Sequence, residues 1–269
     1  MVICCANVAD TLEAACRSVA WADELIIVDS GSTDATPEIA RRYATRYLVE
    51  PWRGYTGQKK WATDLASHDW VLLLDGDEEV SPKLAEEIQA IPAEKLAKYD
   101  VLDMPRRNHV MGRAVRAWWP DAQTRFYHKE RVRWGDHVLH DARYPGSPDR
   151  LGHLRGWLEH KRTSAGQYRD YFDGQLEDRR ALPVARYMYA RGKRAHWWDL
   201  VFRPPMAFLK FYLVKKSFLD GGFGLLIAWK ALVGSVIKYS ALWAIQHGVE
   251  PAEEPGEADQ PQTNTDRHG

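Results

Sequence analysis

Two aspartates close continuous apolar runs. Asp29 ends Leu25–Asp29 (LIIVD) and Asp75 ends Trp70–Asp75 (WVLLLD). Runs of this length and composition suit strands buried on both faces of a parallel sheet. Ligands of open parallel sheets bind beyond the carboxyl ends of the strands, so both acids are expected to face one crevice. The second run continues into Gly76, Asp77, Glu78 and Glu79. Asp75 and Asp77 are two residues apart, with Gly between them to allow a tight turn. Such a pair of carboxylates suits a hard cation, Mg2+ or Mn2+. A cation held there would neutralise a diphosphate and help it leave. A bare D-x-D occurs by chance in many chains, and a solvated acidic turn is the bland alternative. Its place at the end of an apolar strand is what gives the pair weight.

The elements that must position these residues alternate strand and helix. Val2–Ala6 reads as a strand. Asp10, with Glu13 three residues on, reads as a capping box opening a helix. Thr36-Pro37 reads as an N-cap with Pro at the first helical position, leading to about Tyr43. A short strand follows at Tyr47–Val49, then a helix over Gly57–Ala66, the strand ending at Asp75, and a helix capped by Ser81-Pro82. That order implies an α/β fold with an open, mostly parallel sheet. Residues 100–150 alternate short strand-like pieces with Gly, Pro and aromatic loops. Residues 160–200 look helical and charged. An amphipathic helix is expected over 206–219 after Pro204-Pro205, and a second from Gly221-Gly222 to about Gln246. The tail after Pro251 has no periodicity, is acidic and Pro-rich, and reads as disordered.

Lys+Arg and Asp+Glu both number 37 in 269 residues, so no global basic footprint for nucleic acid exists. The balance hides an asymmetry. Residues 250–269 hold six acids and one Arg, whereas residues 155–216 hold 14 bases and 6 acids. A basic stretch in a neutral chain points to a localised anionic partner. Cys4, Cys5 and Cys16 lack metal-ligand spacing and read as reduced, buried thiols of a cytosolic compartment. The first strand starts with no basic n-region before it, so no signal peptide is expected. Residues 221–246 are mostly apolar but carry Lys230 and Lys238. A Lys near a bilayer centre costs roughly 2.5–3.5 kcal/mol, which disfavours a clean span. Met206, Phe208, Leu209, Tyr212, Leu213 and Phe218 beside Lys210, Lys215 and Lys216 suit a helix lying in a membrane interface instead. Packing of the same helices on the rest of the chain is the alternative.

Several motifs stand in order along the chain: VDSGSTDAT (28–36), the G-x-x-x-Q-K element at Gly54–Lys59 and WVLLLDGDEEVSP (70–82), then WWPDAQTRFYHK (118–129), VLHD (138–141) and RPPMAFLKFYLVKKSFLDGGFG (203–224). In these the chain resembles the family 2 glycosyltransferases, and within them the lipopolysaccharide-core β-glucosyltransferase subgroup. The resemblance rests on that set. It covers nearly the whole chain except the tail, and the set in that order is far more specific than any one piece. The resemblance implies a GT-A fold with a C-terminal helical extension. The expected division is 1–160 for the nucleotide-sugar domain, 161–249 for a helical, membrane-associating region and 250–269 for the tail. It also implies a UDP-sugar donor and inversion by direct displacement. Position by position, Asp29 would bind the uracil or ribose, and Asp75 and Asp77 would form the metal-binding D-x-D. Asp77 would be the direct ligand and Lys59 would sit near the phosphates. Asp121 would be the catalytic base. A sugar hydroxyl is a poor nucleophile until its proton is accepted as it attacks, so one carboxylate near it suffices. Glu79 and Asp141 are the other acids that can serve, and Asp121 can instead be a turn residue after Pro120.

His140 can bind the diphosphate or complete the metal shell, or be structural. Arg125 and His137 are weaker candidates for phosphate or acceptor contacts, and Trp118 and Trp119 can stack on a sugar or pack in a core. The family's first strand commonly ends in Thr/Tyr-Asn-Glu-Glu. Here only Asn7 of that stretch is kept, as a donor contact. The function implied is transfer of a hexose, glucose from UDP-glucose, onto an inner-core heptose. The acceptor would be lipid-anchored and the site of action the cytoplasmic face of the inner membrane, or the cytoplasm. A degenerate, non-catalytic membrane scaffold is the alternative. A sugar-nucleotide pyrophosphorylase would need a Gly-rich, Arg-containing loop after the first strand, and Cys5–Asp10 offers none.

Overall fold

The structure, a computed structural model, describes residues 1–135, 142–161 and 181–249. The described chain divides into two compact units. One holds residues 1–107 with 121–135 and 142–161, and the other holds 108–120 with 181–249. Residues 108–120 thus belong with the helical unit.

The first unit is built on strands β1 (Val2–Cys5), β2 (Ile26–Asp29), β3 (Arg46–Val49) and β4 (Trp70–Asp75), in the order β3-β2-β1-β4 and all parallel. Alternate residues of these strands supply two cores. Ile3, Ile27, Leu72 and Leu74 pack with Leu12, Cys16, Ala40 and Leu84, from helices α1 (Ala9–Ser18), α2 (Thr36–Tyr43) and α4 (Pro82–Gln89). Val2, Val28, Val71 and Leu73 pack with Ala62 of α3 (Tyr55–Asp64). The uninterrupted apolar runs are therefore explained by helices on both faces. Between α4 and the next strand lies the single turn α5 (Ala93–Leu96). Beyond β4 the sheet turns antiparallel. β8 (Asp121–His128) pairs β4, and β6 (Val101–Val110) pairs β8. The path ends in β12 (Leu158–His160) and β5 (Glu78–Val80), which are antiparallel to each other, while β11 (Leu151–His153) lies on β6. A separate two-stranded ladder joins β9 (Arg133–Gly135) to β10 (Ala142–Tyr144). The GT-A-type architecture expected from the sequence is the one observed.

Local signals held unevenly. Ser81 caps α4 as expected, accepting the Leu84 N–H at 3.2 Å. The expected capping box at Asp10 does not form. Helix α1 starts at Ala9, whose N–H is accepted by Asp34 Oδ2 at 3.1 Å, and the Val8 N–H is accepted by Thr36 Oγ1 at 2.8 Å. A partner 25 residues away thus replaced the local one. Glu13 is instead taken by Arg17 and Tyr43, both at 2.7 Å. Cys4, Cys5 and Cys16 are buried thiols outside any disulfide, and burial pushes the Cys16 thiol up to about 12.

The second unit contains the two-residue strand β7 (Arg113–Ala114) paired to the end of β6, and helices α6 (Ala181–Ala190), α7 (Trp197–Leu209) and α8 (Gly222–Gln246). The helix expected to start after Pro204-Pro205 instead starts at Trp197, with both prolines inside it. A capping box between His196 and Asp199 sets that start. A π turn over Lys210–Val214 and a 3-10 turn over Ser217–Asp220 then lead to α8. α8 is long and apolar enough to cross a membrane, with a mean hydropathy of 1.4 over an 18-residue window.

Candidate functional site

The parallel registers bring the two strand-ending acids together. On β1, Cys5 pairs with Asp29 and Cys4 with Asp75, so both acids lie at the carboxyl end of the same three strands. Their surroundings differ.

Asp29 is 1% exposed and held by its own loop and by β3. Oδ1 accepts from the Ser32 N–H at 3.0 Å and the Ser32 hydroxyl at 2.6 Å, and Oδ2 accepts from the Tyr47 hydroxyl at 2.8 Å. Asp29 therefore shapes the Ser30–Ser32 turn. Asn7 adopts φ 49°, and its Oδ1 accepts the Thr33 N–H at 2.8 Å. Its Nδ2 is buried with no hydrogen-bond partner.

Asp75 is gripped by two cations. Lys59 Nζ lies 2.5 Å from Oδ1, and Arg125 Nη2 lies 2.5 Å from Oδ2. Lys59 comes from α3, which begins after Gly54 at φ 78°, a backbone conformation that favours glycine. Burial by itself would raise the Asp75 pKa, but Arg125 and then Lys59 outweigh it and hold the carboxyl far below its usual range. Arg125, 2% exposed, also donates to Glu78 Oε1 at 2.8 Å. Glu78 is fully buried and accepts from Arg106 Nη1 at 2.9 Å. Arg106 in turn donates twice to Asp121 Oδ2, from Nε at 2.9 Å and Nη2 at 2.7 Å. Asp121 opens β8, directly opposite Arg106 on β6, and its Oδ1 accepts from Gln123 at 3.1 Å. Lys59, Asp75, Arg125, Glu78, Arg106 and Asp121 thus form one chain of alternating charge. Buried charges persist only when paired this way.

Asp77 lies apart from that chain. The Gly76 turn carries it to His160, whose Nε2 is 3.1 Å from Asp77 Oδ2. His160 arrives because β12 runs antiparallel to β5, with His160 opposite Glu78, and the Lys161 N–H donates to the Asp77 carbonyl at 2.9 Å. A carboxylate and an imidazole within this distance suit a divalent cation such as Mn2+ or Mg2+ whose other ligands are phosphate oxygens and water. Among the described residues no group of three or more metal-ligating side chains forms.

Gly76 is required by space. A Cβ there would lie 2.8 Å from Val8 Cγ2 and 3.1 Å from Cys5 Cβ. The Thr11 hydroxyl donates to the Gly76 carbonyl at 2.9 Å, fixing the turn to α1.

Of the residues singled out in the sequence, Lys59, Asp75, Arg125 and Asp121 fall in that chain of charge, and Asp77 lies beyond the Gly76 turn against His160. Glu79 pairs with Lys161 at 2.9 and 3.0 Å. His137, His140 and Asp141 lie outside the described residues. Trp118 packs in the second unit, 6.1 Å from the Phe211 ring, and Trp119 is exposed. His160, Arg106 and Glu78 were missed as site residues. Glu78 stood inside the acidic motif, and the strand-like Leu-Glu-His at 158–160 was the one available hint of His160. Its partner lies 83 residues away.

Comparison with known proteins matches residues 1–145 to the family model described as glycosyl transferase family 2. A Rickettsia bellii protein named an uncharacterized glycosyltransferase is 46% identical over 86 residues, 32% of this chain and 29% of that protein. The chain thus spans under a third of that relative. The Rhizobium meliloti protein named lipopolysaccharide core biosynthesis glycosyltransferase LpsC is 29% identical over 227 residues, 78% of each chain. Among solved structures, Mycobacterium tuberculosis glucosyl-3-phosphoglycerate synthase with Mn2+, UDP and glucosyl-3-phosphoglycerate aligns over 70% of this chain and 78% of its own. Its identity is 15% and the TM-score 0.45. Staphylococcus aureus TarS 1–349 aligns over 96% and 94%, at 12% identity and TM-score 0.43.

Proposed function

The chain belongs to glycosyl transferase family 2, and from that membership we propose that it moves a hexose, glucose from UDP-glucose, onto an inner-core heptose of lipopolysaccharide. The similarity to LpsC over 78% of both chains supports the acceptor class. The observation that carries the reading is the meeting of Asp77 and His160 at 3.1 Å beside the end of β4. These two residues would hold Mg2+ or Mn2+, which supplies charge neutralisation of the departing diphosphate.

The chain's own groups do the rest. Lys59 and Arg125, both lining the strand end at Asp75, offer positive charge to the donor phosphates. Asn7 Nδ2 is a buried amide donor whose hydrogen bond a base carbonyl would complete, and Asp29 holds the loop that cradles the nucleoside. Asp121 accepts the proton of the acceptor hydroxyl as that oxygen bonds to the anomeric carbon and the bond to the UDP oxygen breaks. Arg106 fixes the Asp121 carboxylate for that task. Attack opposite the leaving group inverts the anomeric carbon. The acceptor is a lipid-anchored oligosaccharide at the cytoplasmic face of the inner membrane, and no nucleic acid is involved. His140 is the further candidate for a diphosphate contact.

The test is calorimetric titration of UDP with Mn2+, then with EDTA, on the wild type, Asp77→Ala and His160→Ala. Metal-dependent binding weakened in both variants is the expected result, and turnover of UDP-glucose on truncated core lipids would exclude a scaffold. No UDP binding under any condition would overturn the reading.

A further inference from the structure

Exposed large apolar side chains are not spread evenly over the described residues. The first unit exposes Val49, Tyr55 and Tyr144. The second exposes Trp197, Trp198, Phe202, Met206, Leu209 and Leu213 along α7 and the π turn, at 44–62% each. Spacings of four, three and four residues from Trp198 to Phe202 and from Met206 through Leu209 to Leu213 follow the helical period, which makes one continuous stripe. On α8 the exposed set is Leu225, Trp229 and Val236, again at helical spacing, while Ile227, Ala228, Tyr239 and Leu242 are buried. Rings join the two stripes. Phe208 lies 5.6 Å from Trp229 and 5.5 Å from Tyr212, and Tyr212 lies 6.2 Å from Phe218.

Charge identifies what covers this face. Residues 191–238 hold nine Lys or Arg against Asp199 and Asp220. Asp199 is bonded to Arg203, and Asp220 accepts the Arg116 N–H at 2.8 Å. A second copy of the chain would bring another nine cations against these. An anionic bilayer surface complements them. Aromatic residues on the apolar side with Lys around them form the pattern of a helix lying in an interface. Lys230 and Lys238 within α8, and the burial of one side of α8, favour a helix in the membrane plane over one spanning it.

We propose that the joined α7–α8 face is a monotopic docking surface. Trp197, Trp198, Phe202, Met206 and Leu209 enter the headgroup–acyl boundary, and Lys210, Lys215 and Lys216 meet anionic headgroups. This deepens the reading of a membrane-borne acceptor, and its test needs no turnover.

The full chain is floated with vesicles of phosphatidylcholine alone, or with about 30% phosphatidylglycerol added to supply negative surface charge. The wild type is expected to float with the anionic vesicles, its Trp emission shifting to the blue. Each Lys at the surface contributes about fivefold in partitioning (~1 kcal/mol), so Lys210→Gln/Lys215→Gln/Lys216→Gln should lose about a hundredfold. Phe202→Asp/Met206→Asp replaces side chains that are 60% and 62% exposed, so folding should survive, and flotation should be lost. Circular dichroism and UDP titration on the same variants confirm the fold and separate failure of docking from failure of the donor reading. Unchanged flotation in both variants overturns the proposal. So does a wild-type dimer in solution that Phe202→Asp/Met206→Asp converts to monomer, because the face is then a self-association surface.

Discussion

Glu78→Gln tests whether the alternating chain of charge holds the site together. Glu78 has no exposure and makes three bonds: Oε1 accepts from Arg106 at 2.9 Å and Arg125 at 2.8 Å, and Oε2 accepts the Asp75 N–H at 3.2 Å. Glutamine has one acceptor oxygen and one NH2. However the amide is turned, the NH2 faces either two guanidinium groups or a backbone N–H. Removing one partner of a buried ion pair costs about 3–5 kcal/mol. Arg125 keeps Asp75, Arg106 keeps Asp121, and those acids are 30% and 29% exposed, which lets water share the imbalance. The lower end, about 3 kcal/mol, follows. At about 2–4 °C per kcal/mol for a domain of this size, the first unit should melt about 6–12 °C lower.

Glu79→Gln is the matched control. Glu79 pairs with Lys161, but the two side chains are 24% and 39% exposed. Such a pair contributes at most about 1 kcal/mol, so its loss should move Tm by no more than about 4 °C. Both variants are melted side by side by circular dichroism. Equal shifts would refute the network, because the burial of Glu78 would then count for nothing.

Three further outcomes follow from the same geometry. Gly76→Ala presses a methyl onto Val8 and should cost about 1–3 kcal/mol with weaker UDP binding; adding Val8→Ala should recover part of both, as urea unfolding and calorimetry can show. Asp121→Asn should cut turnover about 100- to 10,000-fold while UDP affinity stays near wild type; equal loss of both would mean a structural role. Arg203 and then the His196 N–H hold Asp199 below the usual carboxylate range. Its contribution to α7 is thus complete above about pH 4, where an unfolded Asp is ionised, and is lost as pH falls through the lowered value. Asp199→Asn should flatten that acid limb of stability in a pH series of melts.

The parallel half of the first unit was legible because its signals are local. β1, β2 and β4 are continuous apolar runs, and the order of strand and helix fixes the layering. Ser81 caps its helix because its partner is three residues away. The failures share one cause. Asp10-Thr-Leu-Glu13 has the capping-box spacing, yet Asp34 and Thr36 come from another loop and displace it. Pro204-Pro205 reads as the point after which a helix begins, yet the His196–Asp199 cap had already started it at Trp197, seven residues before Pro204. Arg106 sits in a strand with no motif of its own, and only the β6–β8 register places it opposite Asp121. Nothing local in Leu158–His160 announces that it returns beside Asp77.

The same distinction separates the two acids of the D-x-D. In sequence Asp75 and Asp77 are equivalent carboxylates flanking a glycine. In the fold Asp75 is matched by Lys59 and Arg125, so it brings no net negative charge to an incoming cation. In the proposed reading it would hold those two cations at the end of β4, where donor phosphates would arrive. Asp77, carried past the turn, faces His160 instead. An imidazole is neutral when it ligates, so in the proposed site this pair would bring one negative charge to a divalent ion. The split has a consequence for mutagenesis. Asp77→Asn should weaken UDP binding only when metal is present. Asp75→Asn removes the carboxylate that Lys59 and Arg125 share, while Arg125 keeps Glu78, and should leave EDTA-treated protein binding UDP more tightly than the wild type does under the same conditions. If the two variants respond alike to EDTA, both acids ligate the metal and the division drawn from the ion pairs is wrong.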